Sequence, residues 1–178
     1  MVNHLEIETL LAEHSFTDYK WMKPENIIVA QWVRMKCMFG CDNYGRAPCP
    51  PNMPPVSDCR RFFDEYSEAV ILHFHKKVDR PEDRRAWSKK VNLDLLKLER
   101  AVFLTGYPKT FLIFMSPCSF CADCSGSREE CKILGSARPT PEAMAVDVYS
   151  TVRQYDYPLE VLPDYSQAMN RYAFLLIE

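Results

Sequence analysis

Residues 110–131 read TFLIFMSPCSFCADCSGSREEC, a nearly uninterrupted apolar run that delivers the chain into Cys118, Cys121, Cys124 and Cys131. Residues 110–115 predict a central strand, because a strand buried on both faces shows no alternation. The cysteines that follow predict metal. Each C-x-x-C step lets a tight turn aim two thiolates at one centre, and a third repeat suits one face of an iron-sulfur cube better than a lone tetrahedral ion. Such a loop, hung from the C-terminal end of a strand, lies where open α/β sheets gather their sites.

A second set, Cys37, Cys41, Cys49 and Cys59, brings the cysteines to eight, enough for two four-thiolate centres. Residues 27–35, IIVAQWVRM, are rich in β-branched residues and read as a strand ending at Cys37. Residues 37–59 hold two glycines and five prolines, which excludes regular structure. Ordering such a loop costs roughly 1–2 kcal/mol of backbone entropy per residue, which metal bonds can offset. Ser57 reads as the N-cap of a helix to about residue 66, placing Cys59 in a first turn whose dipole favours a thiolate.

The 178 residues fit one domain, 1–178, with a helix and loop over residues 1–25 packed on it. Twenty-two basic against 24 acidic side chains, a net charge of -2, offer no argument for nucleic acid or an anionic membrane. The N-terminus lacks a basic region followed by an apolar stretch, and nothing approaches the roughly 20 apolar residues of a spanning helix. A soluble, cytoplasmic protein is therefore expected. In that reducing compartment, two tight cysteine groups flanking the cysteine-free residues 60–117 point to metal rather than disulfides.

Helices are predicted over residues 4–14, with Leu5, Ile7, Leu10 and Leu11 at helical spacing, and over 87–105, closed by Gly106. A third helix runs to about residue 154, with Thr140 as N-cap and Pro141 as its first residue. Residues 69–74 read as a strand, and 159–162 and 172–177 as an antiparallel pair. The expected fold is α/β, a mixed sheet of about five strands flanked by helices, with two cysteine-rich metal-binding loops at strand C-terminal ends.

The 118–131 run is similar to the ligand run of bacterial ferredoxins, but six residues precede the fourth cysteine and no proline follows it. The proline follows Cys49 instead, so an exchange of ligands between the sets stays open. Zinc is the alternative metal, although the C-x3-C-x7-C-x9-C spacing of the first set lacks the paired knuckles of zinc ribbons. Cys37-x3-Cys41 opens a radical-SAM pattern whose third cysteine would fall at Tyr44, so that reading fails. His73 and His75 share one face of a strand and read better as a satisfied pair than as ligands.

Two [4Fe-4S] clusters are the expected cofactors. A cluster with four thiolates carries about -2, which neighbouring positive charge and backbone N–H groups should offset. Residues 33–61 contain Arg34, Lys36, Arg46, Arg60 and Arg61 against Asp42 and Asp58, a balance of 5 - 2 = +3. An exposed patch of that sign would suit a redox partner with an acidic docking face.

Taken together, KCMFGCDNYGRAPCPP at 36–51, DCR at 58–60, LTGYPK at 104–109, CSFCADC with Cys131, and ARPTPEAMAVDVYSTV at 137–152 resemble the cysteine-rich "predicted metal-binding protein" family. That is a domain-of-unknown-function family found largely in anaerobic bacteria and archaea, and the resemblance covers about residues 30–178. It implies that all eight cysteines are metal-binding positions. Members often carry glycine, and sometimes a further cysteine, where this chain has Met144 and Ala145. The resemblance supplies no reaction. Electron transfer by two clusters is the leading expectation. The alternatives are a small reductase acting on a small molecule or corrinoid-type cofactor, walled by Tyr44, Arg46, Tyr107 and Lys109, and a structural zinc-binding or interaction protein.

Overall fold

Strand β4, Met169–Leu176, is apolar along most of its length because it is paired on both edges and covered on both faces. In a computed structural model, which describes residues 2–164 and 167–178, it lies between β2 (Ala69–Lys76) and β3 (Phe111–Ile113). Strand β1 (Tyr19–Met22) completes the order β1-β2-β4-β3, and every pairing is antiparallel. The architecture is mixed α/β, but the sheet has four strands among the described residues and no parallel pair.

The pleat divides the core. Val70, Leu72, Leu112, Ala173 and Leu175 point to one face, where they meet Ile7 and Leu11 of α1 (His4–Glu13) and Leu95, Leu98 and Val102 of α4 (Pro81–Leu104). Ala69, Ile71, Ile113, Phe174 and Leu176 point to the other, against Phe63 of α3 (Val56–Asp64) and Val148 and Val152 of α5 (Val148–Arg153). A short 3-10 turn, Pro24–Asn26, leads from β1 toward α2 (Gln31–Gly40).

Several expectations are corrected. Residues 27–35 do not form a strand: only Val29 bridges, to Val146, and α2 begins at Gln31. Strand β3 lies at the edge of the sheet, not its centre. It is buried because Glu99 on α4 accepts the Leu112 N–H at 2.8 Å and Pro139 accepts the Phe114 N–H at 2.8 Å. Residues 159–162 form no strand, since both edges of β4 are already taken by β2 and β3.

Helix α3 starts after Pro55, which offers no side-chain cap, and Ser57 lies inside the first turn. Helix α4 starts six residues before the expected 87, at Pro81, and ends at Leu104, where Gly106 takes a φ of +100° and turns the chain away. Thr140 does cap a turn, its hydroxyl accepting the Ala143 N–H at 3.2 Å. No helix grows from it, because Ala145 sits at φ +60° and Val146 pairs with Val29, so α5 begins only after Asp147. Among the described residues no helix is long and apolar enough to cross a membrane.

Candidate metal centre

The loop after β3 leaves the sheet toward α4, whose polar face holds it. Arg85, Lys89 and Asn92 recur at helical spacing and donate to backbone carbonyls along the loop. Arg85 reaches Cys121 and Ala122 (3.2 and 3.3 Å), Lys89 reaches Phe120 (3.1 Å), and Asn92 reaches Ser116 (3.1 Å). Phe120 packs edge-on against Phe114, 5.7 Å between centroids, and anchors the loop to the core. None of these three polar residues is among the expected site residues, although their i, i+4, i+7 spacing is the signal that finds them.

Held this way, Cys118, Cys121, Cys124 and Cys131 line one small pocket of about 40 Å³. Burial pushes the Cys118 thiol up, with the neighbouring Cys121, Cys131 and Cys124 adding to it. For Cys124 burial is outweighed by the N–H groups of Ala47 and Gly126 and by Arg46, which together lower its titration and favour the thiolate.

Arg46, Ala47 and Pro48, from the first cysteine loop, line this same pocket. Arg46 donates to the Cys118 carbonyl at 3.4 Å, and Asn52 donates to the Gly126 carbonyl at 3.4 Å as well as to Arg46 at 3.0 Å. The two loops therefore interlock. Burial holds the Cys49 thiol up to about 12, and Cys41, Cys37 and, from the other set, Cys124 act in the same direction against Arg46.

The first set does not follow a strand. Cys37 lies in the last turn of α2, on the inward face with Val33 and Arg34, its Sγ 3.7 Å from the Glu142 carbonyl. Cys41 and Cys49 come from the turns beyond, where Gly45, at φ +88°, donates to the Pro50 carbonyl at 2.7 Å. These three thiols share a wide cleft of about 700 Å³, whose walls include Trp32, Lys36, Tyr44, Glu142, Tyr149 and Arg171.

Cys59 is elsewhere. It is fully buried in the core beneath α3, and burial pushes its thiol up despite Arg34 beside it. Its Sγ lies 3.7 Å from the Pro54 carbonyl and 3.8 Å from an Arg34 nitrogen.

The basic residues near the first set are mostly committed internally. Arg34, 8% exposed, donates to Pro54 (3.1 Å) and Ala143 (3.2 Å), and its Nε has no partner among the described residues. Arg60 holds the carbonyls of Ile27 and Val29, and Arg61 pairs with Asp58 at 2.7 Å. Tyr44 and Arg46 do wall the cysteine cavities. Tyr107 and Lys109 do not: Tyr107 is buried with its hydroxyl accepting the Asn3 N–H at 2.8 Å, and Lys109 reaches the Glu65 carbonyl. His73 is satisfied between Asp18 (2.6 Å) and Asn170 (2.8 Å).

Soft thiols, N–H groups aimed at one of them, and a buried guanidinium with no carboxylate partner among the described residues suit a negatively charged metal centre. Among the described residues no three His, Cys, Asp or Glu side chains converge closely enough to bind a single ion. A family model described as "Predicted metal-binding protein (DUF2284)" matches residues 20–177. The chain belongs to that family. The region matched to the predicted metal-binding protein family contains both cysteine loops, the α4 face that grips the second, and all four strands except the first residue of β1. No curated protein and no solved structure matches the chain.

Proposed function

We propose that this metal-binding chain is an iron-sulfur protein that holds two [4Fe-4S] clusters and passes electrons to or from a partner enzyme. The observation that carries the reading is the gathering of Cys118, Cys121, Cys124 and Cys131 around one pocket, with Arg46 and Ala47 of the other loop in its wall. Those four thiolates hold one cluster, and Cys37, Cys41 and Cys49 hold the other. The C-x-x-C-x-x-C run offers a third closely spaced thiolate beyond the paired knuckles of a zinc site, which favours a cluster over the zinc alternative.

When bound, such clusters supply one-electron transfer. The chain's own part is to hold the centres side by side, with Cys49 and Cys124 within electrostatic reach, and to offset their charge with Arg34 and Arg46. The partner docks at the exposed face of α2, where Trp32, Met35, Met38 and Phe39 surround Lys36 close to Cys37 and Cys41. Its complementary face is acidic and apolar.

The cleft beside Cys37, Cys41 and Cys49 favours a second reading, a small reductase whose substrate or corrinoid-type cofactor enters there. A potentiometric titration followed by EPR tests the redox role. Two reversibly reduced signals support it, whereas centres that take up no electron, or are destroyed on doing so, leave only a structural staple.

A further inference from the structure

The first set supplies three thiols to its cleft and keeps its fourth cysteine away from it. Cys37, Cys41 and Cys49 all line the cleft of about 700 Å³, and Cys59 does not. The fourth cysteine already has an occupation. Arg34 is buried with no carboxylate partner among the described residues, and its two terminal nitrogens donate to the carbonyls of Pro54 and Ala143 and to the Cys59 sulfur. Cys59 in turn reaches the Pro54 carbonyl and packs with Ile27, Phe63 and Val146 in the core. Moving its sulfur to a metal would leave a buried cation short of an acceptor and open a hole in that core.

The cleft, by contrast, is large enough for a small molecule beyond the metal itself. Lys36 and Arg171 on its wall form no ion pair among the described residues, although Asp42, Glu142 and Asp147 line the same cleft, and Trp32, Tyr44 and Tyr149 give it aromatic surface.

Building on the iron-sulfur reading, we infer that Cys59 is not a ligand. The first cluster is held by Cys37, Cys41 and Cys49 alone, and its fourth iron faces the cleft, where a small organic anion with a carboxylate or hydroxyl oxygen binds it. Lys36 and Arg171 pair with the charge of that molecule. A metal position without a protein ligand is the arrangement that catalytic rather than purely structural sites keep.

The test uses the full chain, purified without oxygen. Cys59→Ala should keep the wild-type iron and acid-labile sulfide, while Cys49→Ala loses about half of both. Cys59→Val, which retains apolar volume, serves if the alanine variant does not fold. In ⁵⁷Fe Mössbauer spectra of wild type and of the Cys59 variant, about one-eighth of the iron should form a separate doublet that shifts on adding malate as the carboxylate probe. Loss of about half the iron and sulfide from both Cys59 variants overturns the three-thiolate assignment. Absence of a separate doublet does the same, and a doublet that malate leaves unmoved overturns the oxygen-donor ligand. Wild type without sulfide would instead sink the iron-sulfur reading itself.

Discussion

The two cysteine loops use equal numbers of thiols in unlike surroundings. The second is clamped from one side by Arg85, Lys89 and Asn92 and from the other by Arg46, and its four thiols enclose a pocket of about 40 Å³. The first opens on a cleft of about 700 Å³, has three thiols in it, and commits its fourth to a buried arginine. A closed set of four suits storage and relay of an electron. An open set of three beside a roomy cleft suits chemistry on something that enters. Cysteine count alone does not separate these roles, because what differs is the backbone that presents each sulfur and the side chains that fill the remaining space.

Removing a ligand from the closed loop should have the largest effect. Cys121→Ala should cost about half the iron and sulfide and leave the first centre's EPR signal intact. Loss of both signals would mean that ligands cross between the loops, with Cys49 and Cys124, which lie within electrostatic reach of each other, as the route. A smaller effect separates the electrostatics of the two centres. Arg34→Met removes a buried positive charge beside the first set only, so redox titration should show one potential falling by on the order of 50–100 mV while the other barely moves.

Removing the clamp sharpens the contrast from the other side. Arg85→Ala combined with Lys89→Ala takes three hydrogen bonds from the second loop, at exposed positions, and should cost about 1 kcal/mol in chemical denaturation. Iron should then leave the second centre faster under a chelator, at an unchanged rate from the first.

The smallest expected change lies behind the first cleft. Ala145 accepts the N–H of Ala30, the residue before α2, at 2.8 Å, while sitting at a φ of +60° that glycine adopts more readily. Ala145→Gly relieves that conformation at the cost of a more flexible unfolded chain, for a net gain of about 0.5 kcal/mol in a denaturant titration.

Much of the second loop was legible in the sequence, because an apolar run ending in C-x-x-C-x-x-C constrains both the strand and the site after it. The first loop was not, and the reason is the face that α2 exposes. Trp32, Met35 and Phe39 point outward while Val33, Arg34 and Cys37 point inward, so the helical period is hidden by apolar residues on both sides. Together with the β-branched Ile27, Ile28 and Val29 just before it, the segment reads as a strand, which is true only of the single bridge at Val29.

Residues 159–162 have strand composition, but β4, the strand expected to pair with them, is taken on both edges by β2 and β3, a fact of topology that local composition does not carry. The position of Cys59 is the same kind of case. Its place in the first turn of α3 was foreseen, but that it turns toward Arg34 and the core depends on contacts from segments more than 80 residues later, Ala143 and Val146 among them.

Whether the thiolates hold iron-sulfur clusters is read from metal and acid-labile sulfide analysis of the chain purified without oxygen. Two [4Fe-4S] clusters would give about eight iron and about eight sulfide per chain. A colourless protein that contains zinc and no sulfide would contradict it.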